Sequence, residues 1–288
     1  MFGKIYNSLI LSPMAFIQSP TVKRNNIKIS GNGSQPILFA HGYGCDQNMW
    51  RYVYPAFEEN YKVVLFDLTG AGNSDDSQYS YEKYNTLEGY AEDILEICEE
   101  HDLNDVILVA HSVSSMIAVL AAGMEPGRFS KLILIGPSAR YINEGDYKGG
   151  FSKEDIDELI EALDSNYLGW AANMAPVIMG NGDRPELGEE LTNSFCRTNP
   201  EIARHFASVT FLSDNRKDLI KVNVPTLILQ CSEDVIAPRE VGEYVHENIK
   251  TSSLRIMKAT GHCPNLSAPE ETIEAIKDFL QPSSEVNE

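Results

Sequence analysis

Positive charge is scarce in this 288-residue chain. Its 23 lysines and arginines stand against 42 aspartates and glutamates, for a formal net charge of −19. Nucleic acid and anionic membrane surfaces both recruit partners through Lys and Arg, so neither is an expected binding target. Long apolar runs are also missing. A membrane span needs about twenty nearly unbroken apolar residues, and none is present. The first 20 residues hold Leu9-Ile10-Leu11 and Met14-Ala15-Phe16-Ile17, but Pro13 divides them and no small-residue cleavage site comes after. They read as an arm, not a signal peptide. Cysteine is thinly used. Cys45, Cys98, Cys196, Cys231 and Cys263 are odd in number and form no Cys-x-x-Cys pair. A reduced, cytoplasmic protein is expected, and with no Cys or His pair at ligand spacing no metal is expected. Gly70-Ala71-Gly72-Asn73-Ser74-Asp75 lacks the third glycine and the lysine of a phosphate loop, and Asp75 repels phosphate, so it reads as a turn. Repeats and low-complexity segments are absent.

What is present is an alternation of strands and helices. Asn26–Ser30, Pro36–Ala40, Val63–Asp67, Val106–Ala110 and Lys131–Gly136 read as strands. Leu87–His101 places Leu87, Tyr90, Ala91, Ile94, Leu95 and Cys98 on one helical face, and Ser114–Met124 reads as a second helix. Continuous apolar strands separated by helices imply a parallel sheet covered on both faces. The rhythm breaks between residues 138 and 206, where only helices are predicted, over Lys153–Ser165, Asn166–Gly180, Pro185–Cys196 and Pro200–Leu212. It resumes with strands at Pro225–Cys231 and Ser253–Ala259 and helices at Pro238–Ile249 and Pro269–Leu280. A helical insert in such a pattern reads as a lid over the carboxyl edge of the sheet, where ligands bind. The expected layout is an arm at 1–25, a core from 26–137 and 207–281, a lid at 138–206 and a tail at 282–288. The lid's Phe151, Tyr167, Trp170, Met174, Phe195 and Phe206 predict an apolar pocket beneath it.

The chemistry concentrates at three strand ends. Val-Ile-Leu-Val-Ala-His-Ser-Val-Ser-Ser at 106–115 runs from a buried strand straight into a helix. A serine on so sharp a turn projects its hydroxyl out of the fold, the nucleophile elbow of the α/β-hydrolases, usually written Gly-x-Ser-x-Gly. Here Ala110 and Ser114 replace both glycines. Asp234 comes after the strand ending at Cys231, and His262 after the strand ending at Ala259. In a parallel sheet these ends share one edge, so Ser112, Asp234 and His262 can converge as nucleophile, acid and base, in the chain order of that fold. Glu233 is the rival acid. The oxyanion formed in acyl transfer needs donors. The N–H of Val113 is one, and the N–H of Tyr43, between Gly42 and Gly44, is the other. His41 and His111 read as structural neighbours of the elbow.

Several strings together resemble the RsbQ-type α/β-hydrolases, bacterial relatives of the plant strigolactone and karrikin receptors. They are His41-Gly42-Tyr43-Gly44-Cys45-Asp46-Gln47, Asp67 to Asp75, Ala110-His111-Ser112-Val113, Gly261-His262-Cys263-Pro264, Asn166 to Ala171, Asp183-Arg184-Pro185-Glu186 and Leu229-Gln230-Cys231. The resemblance covers about residues 26–280. It implies a helical V-shaped lid over a small hydrophobic pocket; the expected fold is the α/β-hydrolase fold, a mostly parallel sheet flanked by helices, with the helical lid inserted after the sixth strand. It implies the same triad and oxyanion donors and no cofactor. The expected activity is a serine hydrolase, a carboxylesterase or lactonase acting on a small hydrophobic molecule. The alternative is a signalling receptor that works with a PAS-containing phosphatase to activate the general-stress sigma factor. Ser114 adds a side chain where the helix approaches closely, which predicts a shifted elbow or low activity.

Overall fold

The computed structural model describes residues 20–281. Residues 1–19 of the predicted arm and the tail at 282–288 lie outside them. The last six residues of the predicted arm form a helix, α1 (Pro20–Asn25). Asn25 is buried and donates to the Asp67 carbonyl and to Thr69, so this segment is stitched into the core.

Seven strands form one sheet: β1 (Lys28–Ser30), β2 (Pro36–Ala40), β3 (Lys62–Leu65), β4 (Val106–His111), β5 (Phe129–Ile135), β6 (Thr226–Glu233) and β7 (Ser252–Thr260). Their order is β1-β3-β2-β4-β5-β6-β7. Only β1 pairs antiparallel; the remaining pairs are parallel. Every residue of β2 and β4 is buried, as expected for strands covered on both faces. Each large aliphatic side chain so buried contributes about 1.5–3 kcal/mol.

The covering helices are α2 (Glu88–Glu100), α3 (Val113–Met124), α7 (Arg239–Asn248) and α9 (Pro269–Leu280). One core packs α2 and α3 against the sheet through Ile94, Ile97, Ile117 and Leu120. On the opposite face Trp50, Phe57, Phe39 and Ile276 form a second core. A four-residue helix, α8 (Pro264–Ser267), comes after β7.

The insert consists of α4 (Lys153–Met179), α5 (Pro185–Arg197) and α6 (Pro200–Phe211). Ser152 starts α4 with a capping box closed by Asp155. Asn166 leaves helical geometry and divides α4 where the sequence predicts a boundary, and its side chain caps Gly169 N. Two expectations need correction. Among the described residues the lid comes after the fifth strand, β5, not the sixth, because only five segments ahead of it form strands. The lid also extends to Phe211, since the apolar face of α6 continues past 206 through Ala207, Thr210 and Phe211.

Candidate active site

The elbow is built from β4 and α3. Ser112 sits between them at φ 58°, ψ −126°, a positive-φ conformation that is strained for a non-glycine residue. Two backbone bonds hold it there: its N–H donates to Ile135 O at 2.8 Å, and Ser115 N donates to Ser112 O at 2.8 Å. The Ser112 side chain makes no capping bond to α3, which leaves its hydroxyl free for other work.

Ser112, Asp234 and His262 come together as the sequence predicts. His262 Nε2 lies 2.7 Å from Ser112 Oγ, and His262 Nδ1 lies 2.7 Å from Asp234 Oδ2. All three are buried. Asp234 uses its two oxygens for two tasks. Oδ1 accepts from Ile236 N and Ala237 N at 2.8 and 3.0 Å, which fixes the turn before α7, and Oδ2 faces the imidazole. Burial alone raises a carboxyl pKa. Here the neighbouring His262 and the two backbone donors outweigh it and hold Asp234 below the usual range. Glu233, the rival acid, is exposed at the end of β6.

One glycine makes room for this arrangement. Gly136 ends β5 at φ +57°, and a Cβ there would lie 3.2 Å from His262 Cε1 and 3.6 Å from Asp234 Oδ2. Gly42 does the same for the elbow, since its Cβ would meet His111 Nδ1 at 2.8 Å and Ser112 Cβ at 3.1 Å. The Tyr43 loop is thereby pressed onto the elbow. Neither the Tyr43 N–H nor the Val113 N–H has a hydrogen-bond partner among the described residues.

Both residues that replace the elbow glycines are accommodated in the packing. Ala110 lies in regular register on β4, opposite Ala40 and Leu134. Ser114 is fully buried, but its hydroxyl donates to His41 O at 2.5 Å and ties α3 to the end of β2. The added side chain thus bonds the elbow to the residue that leads into the Tyr43 loop.

The two neighbouring histidines have structural partners. His41 Nδ1 donates to Gly42 O and Nε2 accepts from Leu68 N, which fixes its neutral tautomer. His111 Nε2 donates to the His262 carbonyl at 2.7 Å and so braces the backbone of the triad histidine. Burial, with His262 beside it, pushes the His111 pKa down to about 3.

Over the triad lies a cavity of about 30 Å3, room for one or two waters. Tyr43, Cys45, Tyr141, Ile178, Phe195 and Phe211 are among the side chains around it. Of the six predicted lid residues only Trp170 and Phe195 reach it, stacked 5.9 Å apart at 3°. Tyr167 and Phe206 are buried beside it, while Phe151 and Met174 are half-buried at the lid's edge. Sequence reasoning missed two hydroxyls on this cavity. Tyr141 stands beside Ser112, and burial pushes its phenol pKa up. Thr210 comes from the lid helix α6. Neither carries a local motif.

The lid is bonded to both ends of the site. His262 N donates to Ile178 O at 2.9 Å, and Gly261 packs so tightly on α4 that a Cβ would lie 1.9 Å from Met179 O. On the other side Tyr43 Oη donates to Ala203 O at 3.0 Å and Ser194 Oγ to Gly44 O at 2.8 Å. Among the described residues no cluster of side chains suits a metal ion, and no helix is long and apolar enough to cross a membrane.

A buried acid–imidazole–hydroxyl relay on the carboxyl edge of a parallel sheet, beneath a helical insert, is the arrangement of the α/β-hydrolases. The chain belongs to the alpha/beta hydrolase family, whose model matches residues 37–275. It is 41% identical to the karrikin insensitive 2 receptor CA of Petunia hybrida, over 88% of this chain and 94% of that one. A strigolactone esterase of Arabidopsis thaliana is 36% identical, over 88% of this chain and 96% of its own length. A solved hydrolase from Oleispira antarctica superposes with a TM-score of 0.88 at 44% identity, covering 90% of this chain and 96% of that one. These relatives support a hydrolase of esterase type. The kinship with plant receptors that the motifs implied is present.

Proposed function

We propose that this chain is a serine hydrolase that cleaves an ester or lactone of a small hydrophobic molecule. The supporting observation is the pair of 2.7 Å contacts running from Asp234 through His262 to Ser112 at the floor of an apolar cavity. In this reading Ser112 Oγ attacks the substrate carbonyl carbon as its proton passes to His262 Nε2. The imidazolium that forms is stabilised by Asp234, to which Nδ1 donates. The carbonyl oxygen becomes an oxyanion held by the N–H groups of Val113 and Tyr43. As the tetrahedral intermediate collapses, His262 returns its proton to the leaving oxygen and an acyl-Ser112 remains. Water then enters, His262 takes its proton, and a second collapse frees the acid and restores Ser112. Every proton has a carrier among these residues. The aromatic walls favour an apolar substrate, and the small cavity requires Trp170, Phe195 or Phe211 to move before one enters.

The test is hydrolysis of 4-nitrophenyl butanoate. Wild type is expected to show a burst followed by turnover, and Ser112→Ala to lose about 10^3-fold or more of kcat. Equal rates in the two proteins would overturn the reading.

A second reading, sensing of a small molecule with slow turnover, draws on two observations. The lid lines the cavity and is bonded directly to His262, and several relatives are named receptors. The PAS-containing phosphatase partner and the sigma-factor role belong to this reading. A ligand that raises the melting temperature of Ser112→Ala, and a phosphatase retained only in its presence, would favour it.

A further inference from the structure

Hydroxyl groups in helices ordinarily satisfy themselves by bonding the carbonyl one turn back. The lid keeps this habit twice. Ser208 Oγ donates to Arg204 O at 3.2 Å in α6, and Thr192 Oγ1 donates to Gly188 O at 2.9 Å in α5. Thr210 stands two residues beyond Ser208 on the same helix and breaks it. It is 1% exposed, its Oγ1 has no hydrogen-bond partner, and it lines the cavity above Ser112. The Thr210 carbonyl, by contrast, is in use, accepting from Ser213 N and Ser213 Oγ. Much of the surrounding wall is apolar, formed by Phe195, Phe211, Trp170, Ile178, Leu191 and Ile236, and the polar side chains that share the cavity, Tyr43, Tyr141, Ser112 and His262 among them, make no hydrogen bond to Thr210 Oγ1. A buried polar group left without a partner is rare and calls for an explanation.

We propose that Thr210 Oγ1 is a specificity-determining donor, and that the substrate carries an oxygen acceptor, a ketone, ether or lactone oxygen, distinct from the carbonyl that Ser112 attacks. The scissile carbonyl is served from the sheet side by Val113 and Tyr43, while Thr210 approaches from the lid. The two polar contacts therefore sit on opposite walls and fix the substrate's orientation as well as its identity. An apolar analogue of the same size would leave Thr210 unpaired, which is the condition under which a buried hydrogen-bonding site discriminates strongly. The kinetic side of this proposal rests on the hydrolase reading; the binding side does not.

The experiment uses matched pairs of 4-nitrophenyl alkanoates that differ only by a ketone at the third, fourth or fifth carbon of the acyl chain. Wild type is expected to prefer one keto ester. The preference, as a ratio of kcat/KM, should fall about 10-fold or more in Thr210→Val, which keeps the shape and removes the hydroxyl, and return in Thr210→Ser. The melting temperature of unliganded Thr210→Val should equal or exceed that of wild type, because an unpaired buried hydroxyl is lost. The corresponding methyl esters are also tested as ligands of Ser112→Ala and of Ser112→Ala/Thr210→Val by their effect on melting temperature. This arm decides the proposal even if wild type hydrolyses nothing, a result that would overturn the hydrolase reading alone. An unchanged preference in Thr210→Val for every pair, in rate and in binding, would overturn the role of Thr210.

Discussion

The two walls of the cavity obey opposite rules. On the sheet wall each side chain of the proposed triad has a partner, as does its neighbour Ser114: Asp234 accepts from two N–H groups and faces His262, His262 reaches Ser112, and Ser114 reaches His41. On the lid wall the rings meet edge to face or stack, and the hydroxyl of Thr210, a residue of α6 that lines the cavity, is unpaired. On the proposed reading, the paired wall is preorganised for one reaction, and the apolar wall selects a substrate that relieves its unpaired group. Chemistry and selectivity would then reside on different walls. Substitutions on the sheet wall should act on kcat, and substitutions on the lid wall on KM and on substrate choice.

The largest effect bearing on this division comes from Asp234→Asn. It keeps the bulk of the side chain but removes the charge that orients the imidazole, so kcat should fall about 10^4-fold while KM changes little. A comparable rise in KM would show that the sheet wall also sets binding. Next, Trp170→Ala removes the ring stacked on Phe195. Truncating a buried tryptophan costs about 3–5 kcal/mol, read as a lower denaturation midpoint, and here KM should rise with kcat within a fewfold of wild type. A collapse of kcat would place Trp170 in the chemistry. Third, Gly136→Ala forces a side chain into a left-handed position and toward the His262 ring. The backbone cost is about 1–2 kcal/mol, but kcat should fall further than that destabilisation explains, since His262 is displaced. Unchanged kcat would mean the ring has slack.

The smallest effect is in pH. His111 is held neutral, its pKa pushed down to about 3, by burial and by His262. Between its ordinary value of about 6.5 and that value, the unfolded chain binds a proton that the folded chain refuses. Stability is therefore complete above pH 6.5 and falls as the pH drops, by at most about 1.4 kcal/mol per unit. Asp234 acts in the same direction at lower pH, its contribution being lost as the pH falls through its depressed folded value. Melting curves between pH 6 and 4 should be less pH-dependent in His111→Asn than in wild type. Parallel slopes would contradict the buried neutral state.

Much of the sheet wall was legible in the chain. Val106–Ala110 is an unbroken apolar strand, and Thr226–Cys231 is centred on the apolar run Leu227-Ile228-Leu229. Residues that come directly after a buried parallel strand must lie at its carboxyl edge, so the sequence pattern alone could place Ser112, Asp234 and His262 together. The lid wall was not legible in the same way. Thr210 lies in an ordinary amphipathic helix, and whether its hydroxyl bonds Phe206 O or turns into a cavity depends on tertiary packing. Ser114 looked like an obstruction because its acceptor, His41 O, lies 73 residues away. α1 escaped notice because six residues hold too little periodicity to read, and its anchor, Asn25, depends on Asp67 and Thr69 far along the chain. The position of the lid was put one strand too late, although the five strand-like segments ahead of it are readable in the sequence and form β1 to β5.

The division between the walls stands or falls on an activated serine at the sheet edge. Incubation with a fluorophosphonate probe, followed by intact mass and peptide mapping, reads that activation without any assumption about the substrate. A single adduct is expected on Ser112, absent in Ser112→Ala and formed far more slowly in His262→Gln. No adduct in wild type, or labelling that proceeds equally fast in His262→Gln, would contradict the triad.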